Sequence, residues 1–228
     1  MTNKILKLLD DKKTSAVIKK CTMFDGMTNN ELINALNFFC ANVKEYQKGD
    51  FIQTILTPFE NFGLVISGEV RVYMDDIDGD NMIMANVSIG ETFGESLCLL
   101  KSESPVYIQA VTDAVILSMN TTKFHGQYED EKMRNEYMFR FSSMLARRTL
   151  AMNDRIQVLS NKTLREKIIT FLSQYRSKFS SLEFYIPFDR SSMAVYLGTD
   201  RASLSRELSK MKRDGIIDYR KNYFIIRN

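Results

Sequence analysis

Between about Val43 and Met119, short apolar runs alternate with turn signals roughly every ten residues. The runs are Phe51-Ile52, Leu64-Val65-Ile66, Val70-Val72-Tyr73, Met82-Ile83-Met84, Val106-Ile108, Val111 and Val115-Ile116-Leu117. They are separated at Lys48-Gly49-Asp50, Ser67-Gly68-Glu69, Asp78-Gly79-Asp80 and Ile89-Gly90-Glu91. Segments this short cannot form long helices, and punctuation this regular predicts an antiparallel sandwich or jelly roll. Six of the ten glycines lie between Gly49 and Gly94, where tight turns need a residue that takes positive φ without steric cost.

The flanks are helical in texture. Thr28 followed by Glu31 is a capping-box signature, and Leu32, Ile33, Leu36 and Phe39 recur at helical spacing, so Thr28 to Cys40 reads as an amphipathic helix. Residues 4 to 20 read as another short helix. From about Thr121 to Ser160 there is no proline, and no glycine after Gly126. Met138, Leu145, Met152 and Leu159 recur every seven residues, with Ser142, Thr149 and Ile156 in the companion positions. Such a stripe is a coiled-coil seam or a helix packed on its own domain; its narrowness favours a parallel homodimer seam. The expected dimer interface is therefore Met138, Leu145, Thr149, Met152, Ile156 and Leu159.

Charge is unevenly divided. From Ser160 to Asn228 there are 14 Lys/Arg against 7 Asp/Glu, while residues 1–159 carry 17 against 21, which together give the net charge of +3. A polyanion is the natural partner of the basic end. Within it, a helix opens with Leu164, Ile168, Phe171, Leu172 and Tyr175 on one side, and Pro187 breaks the extended segment Phe184 to Phe188. Ser191 to Tyr196 then reads as a short helix, Leu197-Gly198-Thr199 as a tight turn, and Asp200 as the N-cap of a second helix from Arg201 to Arg213 that stops at Asp214-Gly215. Leu204, Leu208 and Met211 point inward, and Ala194 is small where the helices approach.

That pattern, Arg190 to Gly215, predicts a DNA-binding helix-turn-helix. Arginine grips guanine bidentately and serine contacts bases or phosphates. We assign Arg201 and Arg206 to base edges, with Ser203 and Ser205 supporting. Phosphate contacts are assigned to Arg190, Ser191, Ser192, Thr199, Lys210 and Lys221. Ile216-Ile217-Asp218-Tyr219 and Tyr223-Phe224-Ile225-Ile226 flank Arg220-Lys221-Asn222 and read as a β-hairpin wing with a basic tip.

Several function classes are disfavoured. Hydrophobic residues at 44% and charged residues at 26% describe an ordinary globular chain. The apolar runs are too short to span a bilayer, and Asp10-Asp11-Lys12-Lys13 interrupts the N-terminal apolar stretch, so no signal peptide, no membrane partner and a cytoplasmic location are expected. Cys21, Cys40 and Cys98 are odd in number and dispersed, and His125 is the one histidine. That set predicts no metal, no cofactor and no metal-dependent catalysis, hence no enzyme.

In order along the chain, Gly49-Asp50, the run GLVISGEVRV from Gly63, GETFGESL from Gly90, LARR from Leu145 and TDRASLSRELSKMKRDGII from Thr199 resemble the cyclic AMP receptor protein and fumarate–nitrate regulator family of bacterial transcription factors. The resemblance implies an α+β fold. It comprises an N-terminal antiparallel β-roll sensor domain, a cyclic-nucleotide-binding-like jelly roll with N-terminal helices (1–120), a long dimerisation helix (121–160), and a C-terminal winged helix-turn-helix (161–228). It implies a homodimer on double-stranded promoter DNA, with half-sites about one helical turn apart and RNA polymerase as a possible further partner. A module that binds cyclic nucleotide and acts through protein–protein contacts is the alternative.

The resemblance also places an effector pocket at Gly94, Glu95, Ser96, Leu97, Ser104, Pro105, Val106, Met152 and Asn153. In the family, a Gly-Glu pair begins the phosphate-binding segment, and Gly94-Glu95 stands there. The segment should end in an Arg-Ser pair, but this chain has Ser102-Glu103-Ser104-Pro105-Val106. Enclosing a phosphate without a cation forgoes charge-assisted hydrogen bonds. Met152 and Asn153 stand where cyclic AMP binders carry Thr-Ser. An unknown small effector other than cyclic AMP, or a pocket filled by side chains, is expected. The family's cysteine cluster is not matched, and His125, in a loop-like stretch, reads as a surface residue rather than a haem ligand. Ala202 replaces the glutamate that commonly follows the position of Arg201, which predicts an altered operator preference.

Overall fold

A computed structural model describes residues 3–75, 81–125 and 130–227. The turn expected at Asp78-Gly79-Asp80 lies outside them, as does Gly126. The chain divides into two compact units, Met1–Ala146 and Arg147–Asn228.

The first unit opens with α1 (Asn3–Asp10) and α2 (Lys12–Lys20). One helix over residues 4 to 20 was the expectation; there are two, because Asp11 leaves the helical backbone and its carboxylate accepts the Thr14 amide at 3.0 Å as an N-cap. α3 (Asn29–Phe38) begins with the expected capping box: Thr28 and Glu31 each bond the other's backbone amide.

Two antiparallel four-stranded sheets follow. β1 (Asn42–Tyr46), β3 (Phe62–Ser67), β6 (Thr92–Phe93) and β8 (Ala114–Met119) pair in the order β1-β8-β3-β6. β2 (Phe51–Gln53), β4 (Val70–Asp75), β5 (Asn81–Val87) and β7 (Tyr107–Ala110) pair as β2-β7-β4-β5. Two short elements were not expected: β6, of two residues, and α4 (Glu95–Leu100), whose apolar run Leu97-Cys98-Leu99-Leu100 is too brief to show a helical period.

The long helix, α5 (Glu131–Leu159), starts later than Thr121. A 3-10 turn occupies Thr122–Phe124, where Asn120 Oδ1 accepts the Thr122 amide, and Asp130 Oδ1 caps the start of α5 by accepting the Met133 amide at 2.9 Å. Tyr137, Phe141 and Met144 are buried in the core of the first unit. Phe141 meets Phe62 of β3 at 5.4 Å between ring centroids and Phe124 at 5.4 Å. Edge contacts of this kind add to the area buried. The seven-residue stripe lies on another face. Leu145 is half-buried, whereas Met138, Ser142, Thr149, Met152, Ile156 and Leu159 are exposed, Met152 at 59% and Ile156 at 58%. Phe139, beside the stripe, is 73% exposed.

In the second unit, α6 (Leu164–Phe179) starts at a Thr163–Glu166 capping box. β9 (Glu183–Tyr185), α7 (Arg190–Leu197), α8 (Arg201–Arg213), β10 (Ile217–Arg220) and β11 (Tyr223–Ile226) follow, the strands pairing antiparallel as β10-β11-β9. Ile168, Phe171 and Leu172 of α6 close over Met193, Leu197, Leu204, Leu208 and Met211. Leu204 and Leu208 are fully buried, and each such side chain contributes about 1.5–3 kcal/mol through loss of apolar surface to water.

Candidate nucleic-acid interface and effector segment

α7 and α8 are each capped by an aspartate. Asp189 Oδ1 accepts the Ser192 amide at 2.7 Å and Asp200 Oδ1 accepts the Ser203 amide at 2.9 Å. Hydrogen bonding from Ser192, amide then hydroxyl, holds Asp189 below the usual carboxylate range, and hydroxyl and amide bonding from Ser203 does the same for Asp200. Between the helices Gly198 takes φ +66°, and the Thr199 amide bonds Ala194 O at 3.0 Å. This left-handed residue is what lets the chain reverse in so few residues. Leu204, Leu208 and Met211 turn inward as expected.

The opposite face of α8 is basic. Arg201, Arg206, Lys210 and Arg213 are exposed. Arg206 Nη2 donates to Ser203 Oγ at 2.9 Å, so two of the expected base readers form one unit. Ser205 Oγ donates to Arg201 O at 2.9 Å, leaving that hydroxyl oxygen as an acceptor. Arg206, Lys210 and Arg213 line one open groove with Tyr219.

Ion pairs sort the remaining charges. Arg165 on α6 takes Glu207 at 2.6 Å and Asp214 at 2.7 Å, while Asp218 takes Lys212 at 2.5 Å and Arg227 at 2.9 Å. Glu207, Asp214 and Asp218 are thereby engaged by Arg165, Lys212 and Arg227. Among the described residues, Arg201, Arg206, Lys210, Arg213, Arg220 and Lys221 form no ion pair.

The other expected phosphate contacts divide. Ser191 and Ser192 are exposed at the start of α7, Thr199 is half-buried in the turn, and Lys221 is exposed at the wing tip. Arg190 is turned aside. Its Cζ lies 4.9 Å from the Tyr219 ring centroid and 5.2 Å from that of Phe224, and Nη2 donates to Lys221 O at 2.8 Å. Burial pulls its pKa below the ordinary arginine value. Sequence reasoning missed Tyr219 as a partner here, since a tyrosine in a strand gives no sign of what stacks on it.

In the first unit, Gly94 caps α4 at φ +80° and Glu95 is 3% exposed, accepting a hydrogen bond from Thr92 Oγ1. Ser96 is exposed and Leu97 half-buried. The Leu97 carbonyl accepts the Ser102 amide at 3.0 Å, and the Phe59 and Ser104 amides bond Ser102 O and Thr57 O. Residues 94–104 are thus strapped to the segment at Thr57–Phe59. Ser104 is 1% exposed and its hydroxyl donates to Val106 O at 2.7 Å; Pro105 is exposed and Val106 half-buried. Met152 and Asn153, the remaining expected pocket residues, are exposed on the part of α5 that belongs to the second unit. A cavity of about 180 Å³ in the first unit is lined by Lys44, Tyr46, Gln53, Phe59, Glu60 and Ser118 among others, and by none of the expected pocket residues. Phe59 was not anticipated, because no local pattern in the sequence marks its close approach to Gly94.

Among the described residues, no group of three His, Cys, Asp or Glu could hold a metal ion, and no helix is long and apolar enough to cross a membrane. Two family models match the chain in order: the cyclic nucleotide-binding domain over residues 43–131 and the Crp-like helix-turn-helix domain over residues 166–228. The chain belongs to the Crp/Fnr family. As a Crp/Fnr member it is a DNA-binding transcription regulator with a cyclic nucleotide-binding domain. It is 25% identical to the cyclic AMP receptor protein of Thermus thermophilus over 201 residues, covering 88% of this chain and 89% of that protein. It is 23% identical to electron transport regulator A of Shewanella oneidensis over 191 residues, covering 80% of this chain and 74% of that protein. The crystal structure of the Thermus thermophilus catabolite activator protein matches at a TM-score of 0.50 and 22% identity, covering 90% of this chain and 93% of that one, which shows the fold.

Proposed function

We propose that this regulator acts as a homodimer that reads a two-fold-related site in double-stranded promoter DNA. The observation that carries the reading is the outer face of α8, where Arg201, Arg206, Lys210 and Arg213 stand exposed without ion-pair partners beside Ser203 and Ser205. Charges left unneutralised on one helix face are what a phosphate backbone and guanine edges select. Arg201 and the Arg206–Ser203 pair read bases, while Ser191, Ser192, Thr199, Lys210 and Lys221 take phosphates. The exposed stripe at Met138, Thr149, Met152, Ile156 and Leu159 supports pairing of α5 with a second copy, because a seam of this spacing buries its apolar side chains only against another helix.

The effector is a small molecule other than cyclic AMP, sensed by the β-roll through residues 94–106. Where a cation would neutralise a cyclic phosphate, the chain has Ser102 to Val106, and the Ser104 hydroxyl is already engaged by Val106 O. Calorimetry with cyclic AMP tests this: stoichiometric binding at micromolar concentration would refute it. Footprinting on promoter fragments tests the DNA reading, with protection of two half-sites one helical turn apart as the expected result.

A further inference from the structure

The wing turn contains a conformational oddity. Lys221 sits at φ +54°, in the left-handed region, between paired residues Arg220 and Tyr223. A lysine there is strained relative to glycine, so other contacts must hold it. Two do. Asn222 is tied to Ile186 in both directions, its Nδ2 donating to Ile186 O at 3.2 Å and its carbonyl accepting the Ile186 amide at 2.9 Å. On the other side, the Arg190 guanidinium donates to the carbonyl of Lys221 itself at 2.8 Å.

Arg190 is well placed for this. It is the first residue of α7, set by the Asp189 cap, and its guanidinium lies over Tyr219 and Phe224, one from each wing strand. These two rings stack at 5.7 Å and 30°. A planar cation on an aromatic face is held by the ring quadrupole, and an arginine does this with a fixed fork of donors that lysine lacks. Half-buried and directed at a carbonyl, the group does not point to solvent as Lys221 does.

We infer that Arg190 is a positioning residue: it locks the Lys221 turn of the wing onto the start of α7 so that the Lys221 ammonium meets the DNA backbone. This rests on the reading of the wing as a phosphate contact, and it gives Arg190 a different task from a direct phosphate contact.

The test compares Arg190→Lys, Arg190→Ala, Lys221→Ala and the Arg190→Lys/Lys221→Ala double variant with the native chain. The probe is a duplex selected by the native protein from a random-sequence pool, beside an unrelated duplex of equal length, each titrated at several salt concentrations. Thermal melting of each variant checks folding, and Arg190→Lys keeps the test open should Arg190→Ala fail to fold. A lost phosphate contact lowers the slope of log K against log salt by about one per protomer. On the inference, Arg190→Lys lowers the slope as Lys221→Ala does, despite keeping its charge, and the double variant loses nothing further. Arg190→Lys behaving as native, or slope losses that add in the double variant, would mark Arg190 as a direct contact and overturn the inference. If Lys221→Ala alone leaves the slope unchanged, the wing reading itself fails and the inference falls with it.

Discussion

Phe59 packs so close to Gly94 that a β-carbon on the glycine would lie 2.0 Å from Cε1 of the Phe59 ring, and Phe59 is 2% exposed. The backbone of Gly94 is at φ +80°, which adds conformational strain for any other residue. Gly94→Ala should therefore destabilise the first unit by about 1–3 kcal/mol. Chemical denaturation measures this, and Phe59→Leu in the Gly94→Ala background should recover part of the loss. Equal losses with and without Phe59 would show that the backbone, not the ring, imposes the glycine.

Arg206→Ala should cost about 1–3 kcal/mol of binding on the selected duplex and relax discrimination at one base pair. Ser203→Ala leaves the charge but frees the guanidinium it holds at 2.9 Å, so it should lose less affinity and blur the same base pair. Competition binding against single-base variants of the duplex reads both. Blurring at different positions would separate the two side chains.

Ile156→Glu and Met152→Glu place like charges in the exposed stripe of α5. Sedimentation should show a shift from dimer to monomer, with the melting of each unit nearly unchanged, because neither side chain belongs to a core in the single chain. Glu at Phe141 would instead disrupt the first unit. A dimer that survives both substitutions at Met152 and Ile156 would place the interface elsewhere.

The three thiols should separate cleanly. Cys40 is exposed, whereas Cys21 is 4% and Cys98 2% exposed. Burial pushes the Cys21 thiol up to about 11, with the Glu95 charge adding to it, and burial raises Cys98 as well. Since the thiolate is the nucleophile, an alkylating reagent at pH 8 should modify one site per native chain. All three should react in denaturant. Peptide mapping that finds Cys21 modified in the folded chain would contradict the packing described.

The aspartate caps give the second unit an acid limb. Both Asp189 and Asp200 have folded pKa values lowered from 3.8. The stabilisation is therefore present above the unfolded value and is lost as pH falls through the lower folded one. Melting of the second unit should drop as pH falls below about 4. Asp200→Asn, which caps without titrating, should flatten part of that drop. An unchanged acid limb would show that the caps do not set it.

What could be read in the sequence followed periodicity and capping. Asp200, Gly198 and the Leu204–Leu208–Met211 face fixed α7 and α8 to within a residue, because local rules act over a few positions. The Thr28–Glu31 box did the same for the start of α3, which ends at Phe38, two residues before the expected Cys40. Asp11 shows the same rule overlooked: one polar residue in a helical pattern was enough to divide α1 from α2. Less could be read where the cause is distant in sequence. Two faces of α5 are apolar, and only tertiary packing assigns Tyr137, Phe141 and Met144 to the chain's own core. Arg190 looks like any exposed cation until the folded wing brings Tyr219, Phe224 and the Lys221 carbonyl to it. The effector segment was placed by resemblance, and its strap to Thr57–Phe59 joins residues about forty apart.

The apolar stripe that one copy of α5 leaves facing water has a consequence for dosage. On the homodimer proposal, two chains must meet before one operator can be gripped at both half-sites. Below the dimerisation constant, promoter occupancy then grows with the square of the protein's concentration. Expression level alone would act as an input to the regulator, with the small molecule adjusting where on that curve the cell sits.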